Sequence, residues 1–144
     1  MIYTSMTKKA MKTAYEAHKD QLDKSGLPYI YHPIHLAEQM ENELAVCAAL
    51  LHDVVEDTSV TVEDLKSEGF SEKVIEAVQL LTHDDAVDYM DYVKKIKDSG
   101  NAVAKEIKVA DLKHNSDITR LESINEKMAD NLEKYKRALE LLLS

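Results

Sequence analysis

An unbroken apolar run near the middle of the chain constrains its fold more than any other feature. Residues 45–51 read Ala-Val-Cys-Ala-Ala-Leu-Leu, and His52 and Asp53 follow at once. The run predicts a helix over residues 43–56 that forms the buried centre of the protein. Because a carboxylate is costly to bury alone, we expect Asp53 to be paired, hydrogen-bonded or bound to a metal.

The scarcity of helix-breaking residues extends the helical prediction to the whole chain. Its 144 residues include three glycines and two prolines, and nowhere does a polar/apolar alternation persist long enough for a sheet. The length predicts one domain, residues 1–144, with an all-α fold of roughly seven to nine helices. The predicted helices span 5–22, a segment opened by His32 and Pro33, 43–56, a segment capped by Thr61, 71–82, 88–99, 102–117 and 123–143.

The charge distribution limits the partners that the protein is expected to have. The net charge is −9, and residues 41–91 carry fourteen acids against two lysines. Such an acidic surface is a poor match for duplex DNA or an anionic membrane. We expect no signal peptide or membrane span, because the sequence begins with a polar, lysine-bearing segment and contains no long apolar stretch; the single cysteine, Cys47, lies in the apolar run. We therefore expect a cytoplasmic protein. The sequence does not determine the oligomeric state, and a dimer formed through the last helix is compatible with it.

Polar groups with acid, base or ligand capacity cluster after the apolar run. Glu56 lies one helical turn after His52, and Asp57 one turn after Asp53. Imidazole and carboxylate together are ligands for Mn²⁺, Fe²⁺ or Zn²⁺.

Two further residues complete a candidate metal site. His32 opens a predicted helix, and Asp111 follows small apolar residues inside a later one. Taken alone, His32 is typical of a helix cap or a hydrogen-bonded core histidine, and Asp111 of a helix surface. Considered with His52 and Asp53, they form a set of four for which a metal site is the better interpretation.

Three blocks of sequence carry a resemblance to a known family. They are Lys24–Pro33 (KSGLPYIYHP), Ala48–Thr58 (AALLHDVVEDT) and Val109–Asn115 (VADLKHN). In this order they resemble the (p)ppGpp hydrolases of the RelA/SpoT type, which are HD-domain phosphohydrolases, over roughly residues 10–121. The length matches the stand-alone small hydrolases of that group. The resemblance implies a helical HD-domain bundle that hydrolyses guanosine 3′,5′-bis(diphosphate), ppGpp, to GDP and pyrophosphate.

The resemblance also implies a role for individual residues. One divalent metal, with Mn²⁺ as first choice and Fe²⁺ or Zn²⁺ as alternatives, would be bound by His32, His52, Asp53 and Asp111. Glu56 and Asp57 would position or deprotonate the attacking water.

Substrate contacts are expected close to the candidate ligands along the chain. Lys24 and Ser25 lie in the loop before His32, and Lys113 and Asn115 follow Asp111. Asn115 is four residues past Asp111, on the same helix face. A solvent-exposed surface lysine is an equal interpretation of Lys24 and the favoured one for Lys113.

Two departures from the family pattern weaken the prediction of the substrate. Asp23 stands where the family has a basic residue that helps to hold the nucleobase, and residues 116–118 replace a Met-Arg-Thr segment. The alternatives are a phosphatase that acts on another nucleotide, such as NADPH or a 3′-phosphorylated nucleotide, and a non-catalytic nucleotide sensor. The intact pair Glu56 and Asp57 disfavours the sensor.

Overall fold

The computed structural model describes residues 1–144 and is built from helices. The α-helices in chain order are α1 (Ser5–His18), α2 (Tyr31–Glu38), α3 (Glu43–Leu51), α4 (Val54–Asp57), α5 (Val62–Ser67), α6 (Glu72–Leu81), α7 (Tyr89–Asp98), α8 (Ala102–Asn115) and α9 (Glu126–Leu143). A short 3-10 helix, Ile118–Arg120, joins the last two. The only β pairing is one bridge between Leu22 and Pro28, so the prediction of an all-α fold is confirmed.

Helix α3 lies at the centre of the bundle. Every residue from Ala45 to Leu51 is buried, and the helix packs against α1, α2, α6 and α8. The buried apolar side chains form one contiguous cluster around it. Because burying a leucine side chain contributes about 1.5–3 kcal/mol, the buried segment Ala45–Leu51 stabilises the packing of the neighbouring helices.

Side-chain caps begin several of the helices where the sequence predicts them. Thr61 and Asp64 form a capping box at the start of α5, each side chain accepting a hydrogen bond from the backbone N–H of the other residue. Ser71 caps α6 by accepting from the N–H of Val74 at 3.3 Å. Such caps satisfy N–H groups that have no partner within the helix.

Helix α1 ends at His18, before the predicted end at residue 22. Leu22 is instead used in the bridge to Pro28, and Tyr29 N–H donates to the Gln21 carbonyl at 2.9 Å. The chain therefore reverses direction over residues 21–29, because these backbone groups pair across the loop and not along a helix.

The predicted helix over residues 43–56 is two helices that meet at a corner. The backbone of Asp53 has φ −107° and ψ 1°, which ends the regular helix before α4 begins. Two other predicted ends also differ, since α8 stops at Asn115 and α9 begins at Glu126. Asn125 caps α9 by accepting from Met128 N–H at 2.9 Å, which explains the later start.

No helix in the structure combines the length and the apolar character that crossing a membrane requires.

Replacement of Leu50 by Ala tests the central role of α3. Leu50 is fully buried, so Leu50→Ala should lower the free energy of unfolding by about 2–5 kcal/mol. Leu143→Ala is the control, because that side chain is 61% exposed and its loss should change stability by less than about 0.5 kcal/mol. Urea denaturation followed by circular dichroism measures both, and equal losses would contradict the assignment of α3 as the centre.

Candidate functional site

Three parts of the fold bring the predicted ligands to one point. His32 lies in the first turn of α2, His52 and Asp53 in the corner between α3 and α4, and Asp111 in α8. One ligand atom from each of His32, His52 and Asp53 lies within 4.8 Å of the others. Asp111 Oδ1 lies 2.8 Å from His32 Nε2 and 3.6 Å from His52 Nε2. All four residues therefore converge.

The ring of His52 is oriented by the backbone of its own helix. Its Nδ1 donates to the carbonyl of Ala49 at 2.7 Å. The buried Nε2 faces Asp53 Oδ2 at 3.1 Å and Asp111 Oδ1 at 3.6 Å but forms no aligned hydrogen bond. A histidine that donates one ring N–H to a backbone carbonyl and presents its other nitrogen is typical of a metal ligand.

The charges around His52 require a positive partner. Burial opposes the charged ring, but the carboxylates of Asp53 and Asp111 raise the pKa of His52 well above its usual range. Either a proton or a metal cation can supply the positive charge that these carboxylates demand. Two imidazoles and two carboxylates without a thiolate fit a divalent cation such as Mn²⁺, Fe²⁺ or Zn²⁺.

Asp111 is a buried carboxylate that remains ionised because of its neighbours. Burial opposes its ionisation, yet the charge of Lys108 and the contact with His32 hold the pKa of Asp111 well below its usual range. Lys108 Nζ lies 3.0 Å from Oδ2, and Asn115 Nδ2 donates to Oδ1 at 3.1 Å. The sequence analysis missed Lys108; its only signal was the spacing of three residues, which places it beside Asp111 on a helix.

The second nitrogen of His32 is also held. Its Nδ1 lies 2.7 Å from Nδ1 of His114, whose ring stacks on His35 at a centroid distance of 4.1 Å. Burial, followed by the charge of Arg120, lowers the pKa of His114 to about 4. His114 is therefore neutral at physiological pH and can accept the hydrogen bond from His32.

The pair Glu56 and Asp57 lies beside the ligand cluster. One carboxylate oxygen from each lies within 4.8 Å of Asp53 and of the other. Loss of hydration in the cavity, followed by the negative charge of Asp53, raises the pKa of Asp57 to about 6. Desolvation also raises the pKa of Glu56, which accepts from the backbone N–H of His83 at 2.6 Å. Carboxylates with raised pKa values suit proton transfer near neutral pH.

Tyr29 is a contact of this cluster that the sequence patterns did not predict. Its half-buried hydroxyl donates a hydrogen bond to Asp53 Oδ2. The only signal was its place three residues before His32, in the loop that leads into α2. The bond helps to fix the Asp53 carboxylate toward the other ligands.

A cavity of about 390 Å³ opens over these groups. Lys24, Ser25 and Asn115 line it, as their predicted role in substrate binding requires. Lys113 is exposed and does not line the cavity. It lies two residues after Asp111, and residues at that spacing do not share a helix face.

Both carboxylate oxygens of Asp23 are engaged in contacts within the protein, so this residue is not free to contact a nucleobase. Its Oδ1 accepts from the N–H groups of Ser25 at 2.9 Å and Leu27 at 3.0 Å. Its Oδ2 pairs with Arg120 Nη2 at 3.2 Å, and Arg120 Nη1 donates to the His114 carbonyl at 2.8 Å. A guanidinium therefore lines the cavity beside the acid that stands where the resembling family has a basic residue.

Comparison with protein families gives a match over most of the chain. The family model described as the HD domain matches residues 10–141.

Curated proteins match the chain over shorter segments. A guanosine-3′,5′-bis(diphosphate) 3′-pyrophosphohydrolase of Aquifex aeolicus is 40% identical over 85 residues, which are 56% of this chain and 12% of that protein. The protein of the same name from Haemophilus influenzae is 44% identical over 86 residues, with the same shares. The chain thus spans about 12% of the length of these relatives.

A solved structure matches the whole fold. It is that of a metazoan orthologue of SpoT that hydrolyses ppGpp, and the match has a TM-score of 0.79 with 24% sequence identity. The match covers 99% of this chain and 88% of the other, so the two share the same helical architecture.

Replacement of Asp23 by Asn tests the loop anchor through its pH dependence. The bonds from Ser25, Leu27 and Arg120 outweigh burial and lower the pKa of Asp23. Its stabilisation is therefore present above the pKa of the unfolded carboxyl, about 4, and is lost as the pH falls through the lower folded value. Asp23→Asn should destabilise the protein by about 1–3 kcal/mol at neutral pH and by progressively less below about pH 4.

Urea denaturation at a series of pH values measures this difference between the two proteins. Asp20→Asn is the control, since Asp20 is an exposed acid near the same loop and should lose little stability. A destabilisation by Asp23→Asn that stays constant down to about pH 2 would contradict the role of the ionised carboxylate.

Proposed function

Because the chain belongs to the HD domain family, we propose that it is a metal-dependent phosphohydrolase that converts ppGpp to GDP and pyrophosphate. The observation that carries this proposal is the convergence of His32, His52, Asp53 and Asp111 beneath a cavity, with two further carboxylates beside them. The names of the curated relatives, which cover only the segment they share with this chain, support ppGpp as the substrate.

The four converging residues would hold one divalent cation, for which Mn²⁺ is our first choice and Fe²⁺ or Zn²⁺ are alternatives. The bare Nε2 of His52 and the absence of a thiolate support such a site. A bound divalent cation would lower the pKa of a water molecule and neutralise charge that develops on phosphoryl oxygens.

The carboxylates of Glu56 and Asp57 would orient the attacking water and accept its proton. Asp57, with a pKa of about 6, is ionised at neutral pH and can accept that proton. Water oxygen adds to the phosphorus atom that is esterified to the ribose 3′ oxygen, and the bond between this phosphorus and the 3′ oxygen breaks. The 3′ oxygen leaves as a hydroxyl once a proton returns to it.

Residues along the cavity would position the substrate. Asn115 uses its amide N–H to bond Asp111, so its side-chain carbonyl is left to accept from a ribose hydroxyl. Lys24 and Ser25 lie in the loop at the cavity and can contact the nucleotide. Lys113, which does not line the cavity, is not part of this proposal.

The test is the set of products formed from ppGpp with Mn²⁺ and with a chelator. We expect GDP and pyrophosphate, resolved by anion-exchange chromatography, only when metal is present. Asp53→Ala should abolish turnover and weaken Mn²⁺ binding measured by calorimetry.

Other outcomes of this assay separate the alternatives. Release of orthophosphate from NADPH or a 3′-phosphorylated nucleotide, with no hydrolysis of ppGpp, would show that the protein is a phosphatase with a different substrate. Metal binding without turnover of any of these nucleotides would contradict the proposed enzymatic activity and support a non-catalytic nucleotide sensor.

Replacement of the carboxylate pair tests its role apart from metal binding. Glu56→Gln and Asp57→Asn should each lower kcat by about 10²–10⁴-fold and leave the affinity for Mn²⁺ within about threefold. Glu63→Gln is the control, because Glu63 is an exposed acid on α5 outside the cavity. Unchanged kcat, or a loss that follows the loss of bound metal, would contradict the proton-transfer role.

A further inference from the structure

Gln21 joins the end of α1 to two other segments of the chain. Its backbone N–H donates to the His18 carbonyl at 2.9 Å, and its own carbonyl accepts from the N–H of Tyr29 at 2.9 Å. Its side chain contacts two further groups, because Oε1 lies 2.8 Å from His18 Nδ1 and Nε2 donates to the backbone carbonyl of Asp57 at 2.9 Å. One residue therefore connects α1 with the loop before α2 and with the end of α4.

The orientation of the Gln21 amide determines the tautomer of His18. A backbone carbonyl can only accept, so the amide NH2 of Gln21 must face Asp57, and its side-chain oxygen must face His18. His18 Nδ1 therefore carries a proton and donates it, while the buried Nε2 accepts no hydrogen bond from the protein. Burial lowers the pKa of His18, which favours the neutral ring. The hydrogen bonds thus run in one direction from α1 to α4.

Helix α4 depends on contacts from other segments, because it has only four residues. A helix this short is not stable by itself, and the carbonyl of its last residue, Asp57, has no partner within the helix. Gln21 supplies that partner. The backbone N–H of His83 bonds the Glu56 carboxylate from another side. Each of the two acids of α4 is thus held from outside the helix, Glu56 through its side chain and Asp57 through its backbone.

The same residues also support Asp53. The Tyr29 ring packs against the His18 ring at a centroid distance of 4.8 Å, and the Tyr29 hydroxyl donates to Asp53. Asp53, Glu56 and Asp57 present carboxylate oxygens within 4.8 Å of one another, and like charges this close repel each other. Bonds that fix the backbone of α4 therefore oppose the separation of Asp57 from Asp53.

We propose that Gln21 is a positioning residue for hydrolysis: its amide holds the end of α4 so that the Asp57 carboxylate stays beside Asp53, and His18 orients that amide. Neither Gln21 nor His18 lines the cavity, so both act through Asp57. The inference rests on the proposed function, in which Asp57 accepts the proton of the attacking water. A displaced base is slower because proton transfer requires hydrogen-bonding distance to that water.

The first experiment measures hydrolysis of ppGpp with Mn²⁺ by the wild type, Gln21→Leu and Gln39→Leu. Leucine keeps much of the volume of glutamine and removes the amide. Gln39 is the matched control, because its amide also donates to a backbone carbonyl, that of His35, at 3.1 Å. That bond lies at the end of α2 and reaches no candidate site residue.

Gln21→Leu should lower kcat about 10–100-fold, because the base is displaced from the attacking water. KM for ppGpp and the affinity for Mn²⁺ measured by calorimetry should each change less than about twofold. A general loss of folding would not produce this separation of kcat from binding. Gln39→Leu should leave all three values unchanged. An unchanged kcat for Gln21→Leu, equal losses in both variants, or a loss of Mn²⁺ affinity would overturn the inference.

The tautomer of His18 provides a test that needs neither turnover nor metal. Nitrogen NMR of the metal-free protein distinguishes a ring protonated on Nδ1 from one protonated on Nε2. We expect the Nδ1–H form in the wild type and in Gln39→Leu, and a shift toward the Nε2–H form in Gln21→Leu. The Nε2–H form in the wild type would overturn the inference, because the Gln21 amide would then face the other way.

Hydrogen–deuterium exchange measures how firmly α4 is held. Its backbone amides should exchange faster in Gln21→Leu than in the wild type and Gln39→Leu, and equal exchange in all three proteins would overturn the inference. If ppGpp is not hydrolysed but the tautomer and the exchange behave as expected, the proposed function fails and the positioning of Asp57 by Gln21 stands. If ppGpp is hydrolysed equally well by Gln21→Leu and the wild type, the positioning role is overturned alone.

Discussion

The buried carboxylate of Asp111 is the charge that the surrounding helices are arranged to satisfy. It is 6% exposed, and a carboxylate buried without partners is strongly destabilising. Lys108 and Asn115 contact it from its own helix, while His32 and His52 approach it from α2 and the end of α3. Packing of α2 and α3 against α8 therefore also assembles the site, because it brings the buried His32 and His52 rings to the Asp111 carboxylate.

The apolar helix α3 is followed directly by two polar residues, His52 and Asp53. Successive side chains on a continuous helix point about 100° apart, so an unbroken helix would separate His52 from Asp53. The corner at Asp53 instead brings His52 Nε2 to 3.1 Å from Asp53 Oδ2. It also starts α4, which carries Glu56 and Asp57 to the same cavity. The core helix thereby positions both the candidate ligands and the candidate proton acceptors.

Although the protein carries a net negative charge, acidic and basic residues lie on different sides of the cavity. Carboxylates gather where the metal is proposed, and Lys24 and Lys134 lie unpaired at the other side. We expect a cation and water to bind at the acidic side, whereas phosphate groups of a substrate would bind at the basic side. An acidic protein can thus accept an anionic nucleotide, because binding depends on the groups that line the cavity and not on the sum of charges.

The sequence by itself determined the helical class, the central place of α3, the capping box at Thr61 and the set of residues that converge on one point. Each of these depends on local patterns: apolar periodicity, cap chemistry, or short blocks such as 48–58. Only the tertiary structure decided that the chain turns at Asp53, that Asp23 pairs with Arg120 ninety-seven residues away, and that Lys134 reaches the cavity. These features are contacts between segments distant in sequence, and periodicity carries no information about which distant side chains will meet.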